Sequence, residues 1–101
     1  MKYVFHPEAE AELDAAVNYY EEISPGLGYD FAVEVYSTIE KIMSFPEAWP
    51  ELENEIRRCQ TRRFPYGVLY VHNEDIVYIL AVMHLHRDPA YWKGRIQRNQ
   101  P

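Results

Sequence analysis

Residues 57–82, RRCQTRRFPYGVLYVHNEDIVYILAV, constrain the fold more than any other stretch of the chain. Three runs rich in Val, Ile, Leu, Tyr and Thr, at about 57–63, 67–72 and 76–82, are each short enough to be a strand. Phe64-Pro65-Tyr66-Gly67 separates the first two, because proline removes a ladder donor and glycine relaxes the backbone. Asn73-Glu74-Asp75 separates the second pair. The spacing predicts a three-stranded antiparallel meander. Val68 to Val71 and Ile76 to Val82 are almost continuously apolar, so at least one face of that sheet must be covered by another part of the chain.

The first half supplies that cover. Lys2 to Phe5 reads as a short strand tied into the sheet's edge. Pro7 opens a helix, with Glu8, Glu10 and Glu12 where carboxylates favour the positive end of the dipole. Ala9, Leu13, Ala16, Val17, Tyr20 and Ile23 then form one apolar stripe, which predicts a helix over about 7–23. Ser24-Pro25-Gly26 ends it. A second helix, about 27–44, carries Leu27, Phe31, Val35, Ile39 and Ile42 on one face and stops at Phe45-Pro46. The connection is short, so the helices pair as an antiparallel hairpin. Glu47 to Glu55 reads as an acidic loop broken by Pro46 and Trp49-Pro50. Asp88-Pro89 resembles a helix start, with a short helix or turn to about Ile96 and a loose polar tail from Gln97. The expected fold is therefore α+β: a terminal strand, a helical hairpin packed on an antiparallel sheet (β-α-α-β-β-β), and a short C-terminal turn.

At 101 residues the chain is expected to be a single domain with a real core. An apolar share of 48%, with 15% aromatics, excludes a disordered chain. No run approaches the ~18 apolar residues of a membrane helix and no secretory leader is evident, so a soluble, cytoplasmic protein is expected. Cys59 has no partner for an internal disulfide and reads as a small buried apolar residue. The net charge of −6 conceals a split: residues 1–55 hold two lysines against thirteen acids, a net of −11, while residues 56–101 are at +5. All seven arginines lie in that second part. Their forked guanidinium groups suit carboxylates and phosphates alike, which points to an acidic peptide or a nucleic acid.

Antiparallel geometry decides which of these side chains meet. A turn at 73–75 and another at 64–66 bring Arg62, Arg63, Tyr66, His84, His86, Arg87 and Tyr91 to one rim of the sheet. His84 and His86 share a strand face but lack a third metal ligand at a recognisable spacing, so no metal or other cofactor is expected. Each can be a general acid or base, or a hydrogen-bonded structural histidine. Tyr91 and Trp92 read as a plug at the sheet's end or as part of a site. Arg57 and Arg58 point to opposite faces of their strand. Together Arg57, Arg58, Arg62, Arg63, Tyr66 and Trp92 are the candidate binding residues.

The segments FHPEAEAELDAAVNYYEE, SPGLGYDF, RRFPYGVLY and HLHRDPAYW, in this order from Phe5 to Trp92, resemble the RelE/ParE superfamily of toxins, in particular the ParE-like plasmid-stabilisation proteins. The resemblance implies a helical hairpin on a curved antiparallel sheet. It also implies a cognate antitoxin, usually encoded beside the toxin, which neutralises it and itself carries the DNA-binding domain. RelE-like members cut mRNA on the ribosome without metal, whereas ParE-like members poison DNA gyrase. Carried onto this chain, a ribonuclease would use Tyr91, Arg87, Arg62, His84 and His86. Gly67 and Leu85, however, stand where the mRNA cutters have arginines, and losing one preorganised donor costs about 10²- to 10³-fold in rate. Three readings follow: a toxin that binds a protein target such as DNA gyrase, a ribosome-dependent endoribonuclease, and a non-toxic relative that still binds its antitoxin. None involves a membrane or sequence-specific DNA binding by this chain.

Overall fold

In a computed structural model, which describes residues 1–87 and 89–95, the chain runs β1 (Lys2–Phe5), α1 (Pro7–Ile23), α2 (Leu27–Ser44), β2 (Glu51–Glu53), β3 (Ile56–Gln60), β4 (Tyr66–Asn73) and β5 (Ile76–His84), followed by a 3-10 turn at Pro89–Trp92. The expected Asp88 cap, the helix end near Ile96 and the tail from Gln97 lie outside the described residues.

Both helices start and stop where their local chemistry requires. The His6 imidazole Nδ1 accepts from the Glu8 N–H at 3.0 Å, occupying one orphan donor of α1, and Pro7 tolerates the first turn because it has no N–H to satisfy. Gly26 takes a left-handed φ of 89°, which lets the chain reverse between the helices. Glu21 of α1 caps α2 from the side: its carboxylate accepts from the Gly26 and Gly28 N–H groups at 2.9 and 3.0 Å. The two helices approach so closely at Gly28 that a Cβ there would stand 2.5 Å from the Val17 carbonyl oxygen.

The five strands form one sheet in the order β1-β5-β4-β3-β2. The α+β class and hairpin-on-sheet arrangement are as the sequence implies, with two differences. Glu51–Glu53, expected within a loop, forms a fourth strand of the second half and pairs antiparallel with β3. β1 is parallel, not antiparallel, to β5, in the register Lys2↔Ile76 to Phe5↔Ile79. One difference explains the other. Each connection in the hairpin and the meander reverses the chain, so an added strand changes the parity and leaves β5 running the same way as β1.

The helices cover one face of the sheet. Ala9, Leu13 and Ala16 of α1 and Phe31, Val35, Ile39 and Ile42 of α2 pack with Cys59, Val68, Tyr70, Val77, Ile79 and Val82. Ile23, at the end of the expected α1 stripe, is exposed. On the opposite face Ile56, Leu69, Leu80, Ala81 and Met83 form a smaller cluster, closed by Trp92 of the 3-10 turn. The two continuous apolar strands thus bury both of their faces, as such runs must.

Candidate functional site

The residues expected at one rim of the sheet fall into three separate groups. Across the β4–β5 ladder Tyr66 pairs with His84, and their rings meet edge to face at 5.3 Å. The His86 ring lies 5.4 Å from that of His84, and the His86 N–H donates to His84 Nδ1 at 3.1 Å. Tyr66 continues inward against Phe31 at 4.8 Å, so this trio is the outer end of the aromatic core. Burial first, and neighbouring phenols second, hold the Tyr66 hydroxyl above its ordinary pKa. Among the described residues no group of three His, Cys, Asp or Glu side chains is placed to hold a metal ion.

Arg87 and Tyr91 belong to a second group, which is organised by two residues that sequence reasoning did not single out as a pair. A bulge in β5 places Leu69 opposite Ala81 and Tyr70 opposite Ile79, leaving Leu80 as the extra residue. Beyond Phe5, strand β1 has lifted off into α1 and no longer borders β5. Glu12 of α1 and Arg95 take its place: the Val82 N–H donates to Glu12 Oε1 at 3.0 Å, and Arg95 Nη1 donates to the Leu80 carbonyl at 2.8 Å. Arg95 also grips Glu12 with both terminal nitrogens, at 3.0 and 2.9 Å. These side chains are 5% and 14% exposed, so the pair is buried and bidentate. The Arg87 guanidinium stacks 3.6 Å from the centre of the Tyr91 ring and lies 3.8 Å from Glu12. The Tyr91 hydroxyl is buried. Desolvation first, and the adjacent Glu12 carboxylate second, push its pKa well above the ordinary phenol value. One signal of this cluster was legible: Glu12 sits between the buried positions Ala9, Leu13 and Ala16, where a carboxylate needs a cation brought to it.

Arg62 and Arg63 form the third group and turn toward α2. Both backbone N–H groups donate to the same Glu34 carboxylate oxygen, and Arg63 lies 3.9 Å from Asp30. Their exposed guanidinium groups border a recess along α2 shared with Tyr29, Val33, Ser37 and Lys41. Arg57 and Arg58 do take opposite faces. Arg57 donates to the Trp49 carbonyl at 2.7 Å on the helix side. The Arg58 stem lies across Gly67 on the other side, 3.0 Å from where a Cβ would stand. Trp92 is only 2% exposed and closes the second core.

One surface feature has no counterpart among the expected site residues. Tyr29, Val33 and Tyr36, at i, i+4 and i+7 on the outer side of α2, are 71%, 49% and 42% exposed. Phe5 meets Tyr36 at 6.3 Å and Tyr3 at 5.8 Å, which carries this apolar stripe onto the open edge of β1. α2 is therefore apolar on two sides, one buried under the sheet and one facing outward.

Residues 3–89 match the family described as the ParE toxin of the type II toxin-antitoxin system, parDE. The chain belongs to the ParE toxin family. It is accordingly the toxin component of a type II toxin-antitoxin system, which implies a cognate antitoxin as partner. A solved structure titled the chromosomal ParDE TA system from P. aeruginosa is similar over 84% of this chain and 94% of that one, with a TM-score of 0.71 at 17% identity. At that identity the likeness concerns the fold. A search of curated protein sequences gives no match. Within the ParE fold of this chain no helix is long and apolar enough to cross a membrane, among the described residues.

Proposed function

We propose that this ParE-family chain acts in the cytoplasm by binding a protein target, with DNA gyrase the first candidate, and that its antitoxin holds it inactive. The observation that carries the binding reading is the burial of the Tyr91 hydroxyl. Cleavage of RNA by its own 2′-hydroxyl needs a proton acceptor, a proton donor and fixed positive charge at the phosphate. Tyr91 would have to supply one of these, yet its phenol is buried beside a carboxylate that opposes its ionisation. Gly67 adds no cation, and the space over it is taken by the Arg58 stem, with Leu85 close by.

The surface best suited to the antitoxin is the outward stripe Tyr29–Val33–Tyr36 and the β1 edge beside it. Lys2 and His6 direct their N–H groups to Asp75 and Ile79 of the sheet, so by alternation Tyr3 and Phe5 direct theirs outward. The other edge strand is three residues long and acidic, a protected edge; β1 is not protected in this way. A helix on the stripe or a strand on β1 uses ordinary peptide-recognition geometry.

Induced expression without the neighbouring gene tests the toxin reading. Growth arrest should occur, persist in Tyr91→Phe, and be relieved by co-expressing the adjacent reading frame, which should co-purify. Harmless expression would favour the non-toxic reading. The ribonuclease reading draws on the His84–His86 pair beside Tyr66; A-site cuts in translated messages that vanish in Tyr91→Phe would replace the binding reading with it.

A further inference from the structure

The second face of the sheet carries a guanidinium that no described residue engages. Arg58 is half-buried, and its guanidinium makes no hydrogen bond or ion pair with any described residue, whereas Arg57, Arg63, Arg87 and Arg95 all do. Its stem lies in the space that the missing side chain of Gly67 leaves open, 3.0 Å from where a Cβ would stand. Beside it the segment leading into β2 peels away from β3. The last ladder contact is the Arg58 N–H to the Pro50 carbonyl at 3.4 Å. Past that point the edge of β3 is open at Gln60, whose N–H faces away from β4 by alternation from Thr61. The opening is a recess of about 300 Å³ lined by Trp49, Pro50, Leu52, Arg58 and Gln60. Leu52 is exposed in it.

We propose that this recess is a docking site for an extended segment of a protein partner, which presents a carboxylate to Arg58 and an aliphatic side chain to Trp49 and Leu52. The assignment rests on the protein-binding reading above and gives that reading a second contact surface. The charge pattern favours a peptide over a nucleic acid. A net charge of −6 repels a polyanion, and the nearby carboxylates Glu51 and Glu53 already face Arg57 at 3.9 Å and Lys93 at 3.3 Å. A single carboxylate beside an aliphatic group escapes most of that repulsion and meets a forked donor that can bind it with two hydrogen bonds.

The full chain, isotopically labelled, is titrated with acetyl-Leu-Glu-Leu-amide, with acetyl-Leu-Gln-Leu-amide, with inorganic phosphate and with a short single-stranded RNA. The Arg58 Nε–H and Trp49 indole signals are followed. The glutamate peptide should shift both signals and bind about tenfold or more tighter than its glutamine counterpart, the worth of one charged hydrogen bond. Arg58→Gln should abolish the difference, and Arg58→Lys should keep part of it. Equal binding of the two peptides, an undiminished difference in Arg58→Gln, or no binding of any probe overturns the proposal. Tighter binding of phosphate or RNA overturns the choice of a peptide. An unchanged far-ultraviolet spectrum of Arg58→Gln shows that the fold is kept. Because the titration uses the purified chain and synthetic probes, its failure leaves the toxin reading standing, and that reading is decided by growth arrest and antitoxin capture.

Discussion

Replacing Glu12 by Ala should cost more stability than any other single change to a charged residue in this chain. The substitution strips the buried Arg95 guanidinium of a bidentate partner and leaves the Val82 N–H without its acceptor at the bulge. Removing one member of a buried pair costs about 3–5 kcal/mol, and an unsatisfied buried N–H adds about 1–3 kcal/mol, with overlap between the two. A domain of this size holds about 5–15 kcal/mol in total. Glu12→Ala should therefore lower stability by about 3–4 kcal/mol and the thermal midpoint by about 12 °C or more, at about 4–8 °C per kcal/mol. Urea unfolding gives the number directly from the shift in midpoint at constant slope. Arg95→Met should cost less than Glu12→Ala, since the Glu12 carboxylate left behind is the more exposed of the two and keeps the Val82 N–H and the Arg87 guanidinium 3.8 Å away. The double variant should be less destabilised than the sum of the singles by about 2 kcal/mol. A Glu12→Ala loss below about 1 kcal/mol, or strict additivity, would show that the pair does not hold the C-terminal segment on the β5 edge.

Gly28→Ala should be destabilising by about 1–3 kcal/mol, because its methyl group meets the Val17 carbonyl at 2.5 Å; an unchanged thermal midpoint contradicts the close helix approach. Alkaline pH should weaken the fold. Burial pushes the Tyr70 phenol up to about 12 and also raises that of Tyr91, so both contributions are intact below about pH 10 and decline as pH rises from there toward 12. For Tyr70 this amounts to about 3 kcal/mol, and Tyr70→Phe should flatten the profile from a lower starting stability, since the 2.5 Å bond to the Pro46 carbonyl is lost. The Cys59 thiol, buried and pushed up to about 11, should react with a disulfide reagent at pH 8 about 10²-fold or more slowly in the native chain than in urea; equal rates would place it at the surface.

Helix positions were legible because each end carries its own chemistry. Pro7, Ser24-Pro25-Gly26 and Phe45-Pro46 set bounds that tertiary packing had no reason to move. The turn at 73–75 sets the Tyr66 end of β4 beside the end of β5, but counting from the turn alone puts Tyr66 opposite Met83; the bulge at Leu80, which the sequence did not announce, moves its partner to His84. Glu51–Glu53 was not legible as a strand. Nothing in Glu-Leu-Glu favours one, and it pairs only because the Ile56–Gln60 edge lies beside it. The parallel sense of β1 was lost with it. Arg62 and Arg63 were expected beside the histidines, but Glu34, 28 and 29 residues away in sequence, captures their backbone. The Glu12–Arg95 pair spans 83 residues, and no local pattern announces such a contact. By sequence Tyr91 and Trp92 can be a plug at the sheet's end or part of a site; the second apolar face of the sheet draws the Trp92 ring and the Tyr91 hydroxyl inward.

The most direct test of action by target binding is a supercoiling assay of purified DNA gyrase with the purified toxin. Wild type and Tyr91→Phe should both suppress supercoiling and accumulate cleaved DNA, and stoichiometric antitoxin should prevent it. Unchanged supercoiling at saturating toxin would contradict gyrase as the target, and message cleavage dependent on Tyr91 in the same cells would contradict the binding mechanism itself.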